Sequence, residues 1–226
     1  MPPAKTYPSS PFELHANGRD WLLAGSDEPA GYGGYGYLLL RSAPRDAERE
    51  RPLRVMIAYL RQLPAVGELG RYARRDEIRI NLLPLRELPA AVAQALRGNP
   101  SDADLRRAAE LLLDAYDHAR AQAILARLGV QRAGDGPFLI TLTQPASAAG
   151  AGKMLIEDMS AVEPAVAEAW MRQATRLGQE PQAWSGATLR RIELLMRNSI
   201  AQIASALPDS GFKARQWVVV ARYGQN

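Results

Sequence analysis

The sequence predicts an α+β fold: a mixed or antiparallel sheet of about five short strands with about five packed helices. Three observations lead there. Short aliphatic and β-branched runs, such as residues 138–143 and 215–221, are interspersed with segments whose apolar residues recur every three or four positions. The two kinds of segment mix without a regular strand–helix–strand alternation, which points away from a purely parallel sheet. The 226 residues, 47% hydrophobic and 23% charged, suffice for one sizeable core.

The elements follow in order. Residues 1–20 contain Pro, Ser and Asn and are expected as an extended or partly disordered arm. Residues 21–24 read as a short strand. After the glycine-rich tract 31–36, residues 37–40 read as a buried one. Pro52 suits the first turn of a helix, and Val55, Met56, Tyr59, Leu60 and Leu63 mark its buried face until Pro64 and Gly67. Residues 77–82 alternate charge with aliphatics, the pattern of a half-exposed strand ending before Pro84. A short helix is expected over 89–96. Ser101 and Asp104 then start a third, with Leu105, Ala108, Ala109, Leu112 and Leu113 as its stripe. The helical pattern continues through Ile124, Leu125 and Leu128 to Gly129. Residues 138–143 and 154–156 form a hairpin across a loop of small residues. Val166, Trp170 and Leu177 belong to the next helix. The longest apolar stripe follows, through Leu189, Ile192, Met196, Ile200, Ile203 and Leu207. Residues 215–221 close the chain as its most strand-like run. Residues 21–226 therefore read as a single α+β domain, with a division into two lobes near 129–152 as the alternative.

Composition excludes several functions. There is no cysteine, so disulfides, zinc–thiolate sites, iron–sulfur clusters and thiol nucleophiles are ruled out. No apolar run approaches the roughly 18–20 residues of a membrane-spanning helix. The start of the chain lacks the apolar segment of a signal peptide, which fits a cytoplasmic protein or an exported one whose signal is not included. Histidine is limited to His15 and His118, and no Gly-x-Ser-x-Gly elbow occurs, so Ser–His and His–metal catalysis are disfavoured. No metal site and no cofactor is expected.

Of 28 basic residues, three are lysine (Lys5, Lys153, Lys213) and 25 are arginine, giving a net charge of +4. Most arginines alternate with acids, as in residues 45–51, which describes a solvated, ion-paired surface. Arg71, Arg74 and Arg75 form the densest cluster and are the candidate anion-binding group, although Asp76 and Glu77 follow at once.

Two glycine motifs fail in context. Gly31, Gly33 and Gly36 match the spacing of a dinucleotide loop, but a turn precedes them and a strand follows, where the mechanism needs a strand and then a helix N-terminus. Gly150-Ala151-Gly152-Lys153 lacks the first glycine of a P-loop and the hydroxyl that would hold Mg²⁺. Tyr32, Tyr35 and Tyr37 instead make a glycine–tyrosine strip, either core packing or a partner-binding surface. Glu157 and Asp158, at the end of a strand, are the candidate carboxylates for acid–base or metal chemistry.

The leading expectation is a non-catalytic protein acting through protein–protein contacts with a partner or a second copy of itself, as a subunit of a larger assembly. The alternatives are an enzyme using Glu157 and Asp158 on an anionic substrate, and a nucleic-acid or nucleotide binder using Arg71, Arg74 and Arg75.

Overall fold

The computed structural model describes residues 16–130, 134–148, 154–160, 163–177 and 218–222. Six strands make one mixed sheet: β1 (Ala16–Leu23), β2 (Gly34–Leu39), β3 (Ile78–Leu85), β4 (Phe138–Leu142), β5 (Met154–Asp158) and β6 (Val218–Arg222). Their order is β1-β3-β2-β4-β5-β6. β1, β3 and β2 are mutually parallel, and β4, β5 and β6 continue the sheet in antiparallel fashion. Among the described residues six helices accompany it: α1 (Glu50–Gln62), α2 (Val66–Leu69), α3 (Ala90–Ala95), α4 (Asp102–Asp114), α5 (His118–Arg127) and α6 (Pro164–Leu177). The fold is α+β with a mixed sheet, as expected. The long apolar stripe from Leu189 to Leu207 lies outside the described residues.

Four expectations are corrected by long-range pairing. The amino-terminal arm was expected to extend to residue 20, yet β1 starts at Ala16, and Ala16 to Leu23 pair in parallel with Ile78 to Leu85. β3 runs through Pro84 instead of ending before it. Pro84 pairs with Leu22, and its carbonyl accepts from the Asp117 amide at 3.2 Å on the other side. Successive backbone polar groups alternate sides along a strand, so β1 never needed the missing Pro84 N–H. α1 joins two parallel strands, β2 and β3, so one strand–helix–strand unit exists after all. The sheet also continues across residues 129–152, with β4 paired to β2 from the first half of the chain.

Side chains alternate between the two faces of a sheet. The register therefore places Asn17, Arg19 and Trp21 (β1), Arg79, Asn81 and Leu83 (β3), Gly34, Gly36 and Leu38 (β2), Leu139 and Thr141 (β4) and Leu155 and Glu157 (β5) on one face. The opposite face carries Tyr35, Tyr37, Ile78, Ile80, Leu82, Phe138, Ile140 and Ile156, all buried. Two helices reach the first face. Tyr59 of α1 donates to the Asn81 carbonyl at 2.7 Å, and the Trp170 indole N–H of α6 donates to Glu157 Oε2 at 2.6 Å.

The arginines bind these helices together. Glu168 of α6 receives Arg61 of α1 at 3.0 Å and Arg172 at 3.2 Å. Arg49, Arg61 and Arg106 link α1 to α4 through Asp114, Asp102 and Glu50 at 2.6, 2.8 and 3.4 Å. Exposed pairs of this kind contribute about 0–1 kcal/mol each. Their main effect is to neutralise positive charge within the protein. Ser101 caps α4 as expected: its Oγ accepts from the Asp104 amide at 3.2 Å, and its own amide donates to the Asp104 carboxylate at 3.0 Å. Ser101→Ala is expected to cost about 0.5–2 kcal/mol, read as a lower urea midpoint at unchanged slope.

Candidate functional site

Two places in the structure concentrate polar chemistry. The first is the free edge of β1. After α1 the chain runs alongside this strand: the Arg19 amide donates to the Pro64 carbonyl at 2.8 Å, and Arg19 bridges Ala65 in parallel. α2 then presses onto β1 at Gly18. A Cβ there would stand 2.7 Å from Leu69 Cδ1 and 2.8 Å from Val66 Cγ2, so the close approach requires glycine. Arg19 Nη1 donates to the Leu63 carbonyl, and to that of Leu60 at 3.3 Å, which caps the end of α1. Arg19 Nε is buried with no hydrogen-bond partner among the described residues. Burial lowers the Arg19 pKa, partly offset by Tyr59 and Glu68.

Past Ala65 the edge of β1 opens into a cleft of about 390 Å³. Val66, Leu88, Val92 and Leu96 form its apolar wall, and Trp21 lies on the strand side. Two cations, Arg19 and Arg97, and two acids, Asp20 and Glu68, also line it. The Trp21 amide is held by Asp20 Oδ1 at 2.8 Å, which occupies the outward backbone donor of the edge.

The second place is a buried polar seam. The buried polar side chains Asn17, Arg79, Asn81, Thr141 and Glu157 all fall on the same face. They run diagonally, from Asn17 and Arg79 past Asn81 and Thr141 to Glu157. Gly34 and Gly36 of β2 lie in register with Arg79 and Asn81. A Cβ on Gly36 would stand 2.1 Å from Asn81 Oδ1, so the Asn81 amide occupies the space a side chain there would need. Asn81 Nδ2 donates to the Gly18 carbonyl at 3.0 Å, which ties the seam to the strand behind the cleft.

Glu157 is 2% exposed. Burial pushes its pKa up to about 8, against the opposing pull of the Trp170 N–H and of Arg79. Arg79 is 4% exposed, and burial lowers its pKa to about 10, opposed by Glu157.

The predicted carboxylate pair does not converge. Alternation along β5 sends Glu157 to the seam and Asp158 to the other face, where Asp158 accepts from the Ser160 amide at 2.9 Å and the Gly134 amide at 3.3 Å. Asp158 is a turn-capping residue. Among the described residues no group of three or more His, Asp or Glu side chains could hold a metal ion.

The tyrosine strip is split in the same way. Tyr35 and Tyr37, offered as partner-binding residues, are core residues at 2% and 0% exposure. The Tyr37 hydroxyl accepts from the Ala146 amide at 2.9 Å. Tyr32 lies half-buried outside the strand, edge-on to Tyr35 with ring centroids 6.3 Å apart.

In the arginine cluster, Arg74 is paired with Asp76, its Nε 3.0 Å from Oδ1, and its amide donates to Glu77 at 2.8 Å. Arg75 lies 5.1 Å over the Tyr32 ring and donates to the Ala30 carbonyl at 3.3 Å. Arg71 is exposed, beside Tyr72 at 86% exposure. The structure thus joins Tyr32 and Arg75, taken from two separately predicted sets. Sequence reading missed Arg79 and the cleft.

No family model, curated protein or solved structure matches the chain. Among the described residues no helix is long and apolar enough to cross a membrane.

Proposed function

We propose that the chain works by binding a partner protein, without catalysis, and that the cleft at the free edge of β1 receives an exposed segment of that partner. The supporting observation is the cleft lining: an apolar wall and a tryptophan, flanked by two arginines and two carboxylates. Its volume of about 390 Å³ lies within the roughly 300–1,000 Å³ of ligand clefts. Balanced charge favours an occupant bearing both signs. A polypeptide segment with an apolar side chain between an acidic and a basic residue meets that demand. Nucleic acid presents one sign and calls for a uniformly basic site, and in the arginine cluster Arg74 is already paired with Asp76. The acid–base alternative keeps Glu157 alone, because Asp158 faces the other way.

The experiment is selection of a displayed random-peptide library on the whole chain. Enriched peptides should share an apolar residue flanked by opposite charges. Their affinity should fall by about tenfold or more, or ~1.4 kcal/mol, in Trp21→Ala and in Arg97→Glu. Peptides that bind these variants as tightly as the unaltered chain would overturn the proposal.

A further inference from the structure

We infer that Arg79 anchors a buried anion site in the polar seam, one that takes a small oxyanion: an inorganic phosphate or the carboxylate of a small acid.

The Arg79 guanidinium sits in the interior at 4% exposure, and its Nε is buried with no hydrogen-bond partner among the described residues. Buried polar groups are paired in all but a few cases, and a buried cation is paired or neutralised. The seam residues around Arg79 do not supply that pairing. Asn81 spends its Nδ2 on the Gly18 carbonyl, and the Tyr59 hydroxyl, arriving from α1, is committed to the Asn81 carbonyl. The carboxylate acting on Arg79 is Glu157, which belongs to β5 while Arg79 belongs to β3, with β2 and β4 between them. The register also sets Glu157 level with Leu83, further along the sheet, so no ion pair joins the two. Glu157 Oε2 is occupied by the Trp170 N–H. Arg19, on the same face of β1, adds a second positive charge to this region.

Beside Arg79, β2 carries Gly34, which puts no side chain into the seam. A planar guanidinium with an unpartnered donor beside a glycine is suited to two oxygens of one anion, since arginine binds carboxylate and phosphate through paired hydrogen bonds. The site is separate from the cleft, and the inference does not rest on the proposed partner.

Thermal unfolding of the whole chain in a zwitterionic buffer tests it, with sodium phosphate and sodium acetate each titrated against sodium chloride at equal ionic strength. The chain should show a saturable rise of several degrees in Tm with phosphate or acetate beyond that with chloride. The anion that saturates at lower concentration identifies the source. The rise should vanish in Arg79→Met. In Arg79→Lys, which keeps the charge and loses the fork, the half-saturating concentration should rise about tenfold. Trp21→Ala should leave the response intact. If Arg79→Met does not fold, the Arg79→Lys comparison decides. A wild-type curve that coincides with chloride means that the guanidinium is hydrated only, and a response retained in both Arg79 variants means an adventitious ion only. Either result overturns the site.

Discussion

Glu157→Gln is expected to flatten the dependence of stability on pH between about 5 and 8. The folded pKa of Glu157 is pushed up to about 8, whereas an unfolded glutamate titrates near ~4.3. Between those values the folded chain holds a proton that the unfolded chain releases. Stability therefore falls as pH rises through this window, by up to ~1.4 kcal/mol per pH unit, and levels off above the folded pKa. The substituted amide would keep an acceptor for the Trp170 N–H and remove the titration. The variant should lose stability relative to the parent at pH 5 and gain on it at pH 8, by a few kcal/mol in order of magnitude. Burial lowers the His118 pKa, which gives the opposite slope near pH 6, but that contribution is common to both proteins and cancels in the difference. Urea unfolding of parent and variant at pH 5, 6.5 and 8 reads the effect. Parallel pH curves would show that Glu157 is ionised in the fold throughout.

Gly36→Ala is expected to be the most damaging small substitution in the sheet. Its new Cβ would meet Asn81 Oδ1 at 2.1 Å, far inside contact distance. Asn81 is 2% exposed and anchored by its bond to the Gly18 carbonyl, so it can retreat only by giving up that bond. Overpacking costs typically 1–3 kcal/mol, and a buried carbonyl left unpaired about 1–3 more. The sum predicts a loss of roughly 2–6 kcal/mol. Asn81→Ala opens the space, so the double variant should be more stable than the two single losses imply, by about 1 kcal/mol or more. Additive losses would mean that the two residues do not share that space.

These two residues show where sequence reading works and where it stops. α1 and α4 were legible because their apolar spacing and the Ser101 cap are local, and the hairpin of β4 and β5 because both runs are plainly β-rich. β1 was not. Its leading residues Asn17, Gly18, Arg19 and Asp20 show no apolar alternation, because Asn17 and Arg19 face the polar seam and Gly18 lies under α2. Arg79 and Asn81 were read as the wet side of a half-exposed strand, since alternation reports two faces without saying that both are covered. The glycines at 34 and 36 drew attention as a motif. Their role lies in register with Arg79 and Asn81, more than forty positions away, and local spacing carries no such information. Glu157 reads as a carboxylate at a strand end, whereas its raised pKa comes from burial, against the pull of the Trp170 N–H that α6 brings to it.

The arginines take on a different meaning once the structure is in view. Arg49, Arg61 and Arg106 are engaged in ion pairs that join the α1 segment to α4 and α6. Arg19 and Arg97 at the cleft, and Arg79 in the seam, are the ones placed where a ligand could use them. The central claim is that recognition occurs in the cleft. Its most direct test is the affinity of a library-selected peptide for five chains, measured by calorimetry: the parent, Trp21→Ala, Arg97→Glu, Arg71→Glu and Arg75→Glu. The two cleft variants should lose about tenfold or more while Arg71→Glu and Arg75→Glu bind as the parent does. Loss of binding in the Arg71 and Arg75 variants with the cleft variants unaffected would contradict it.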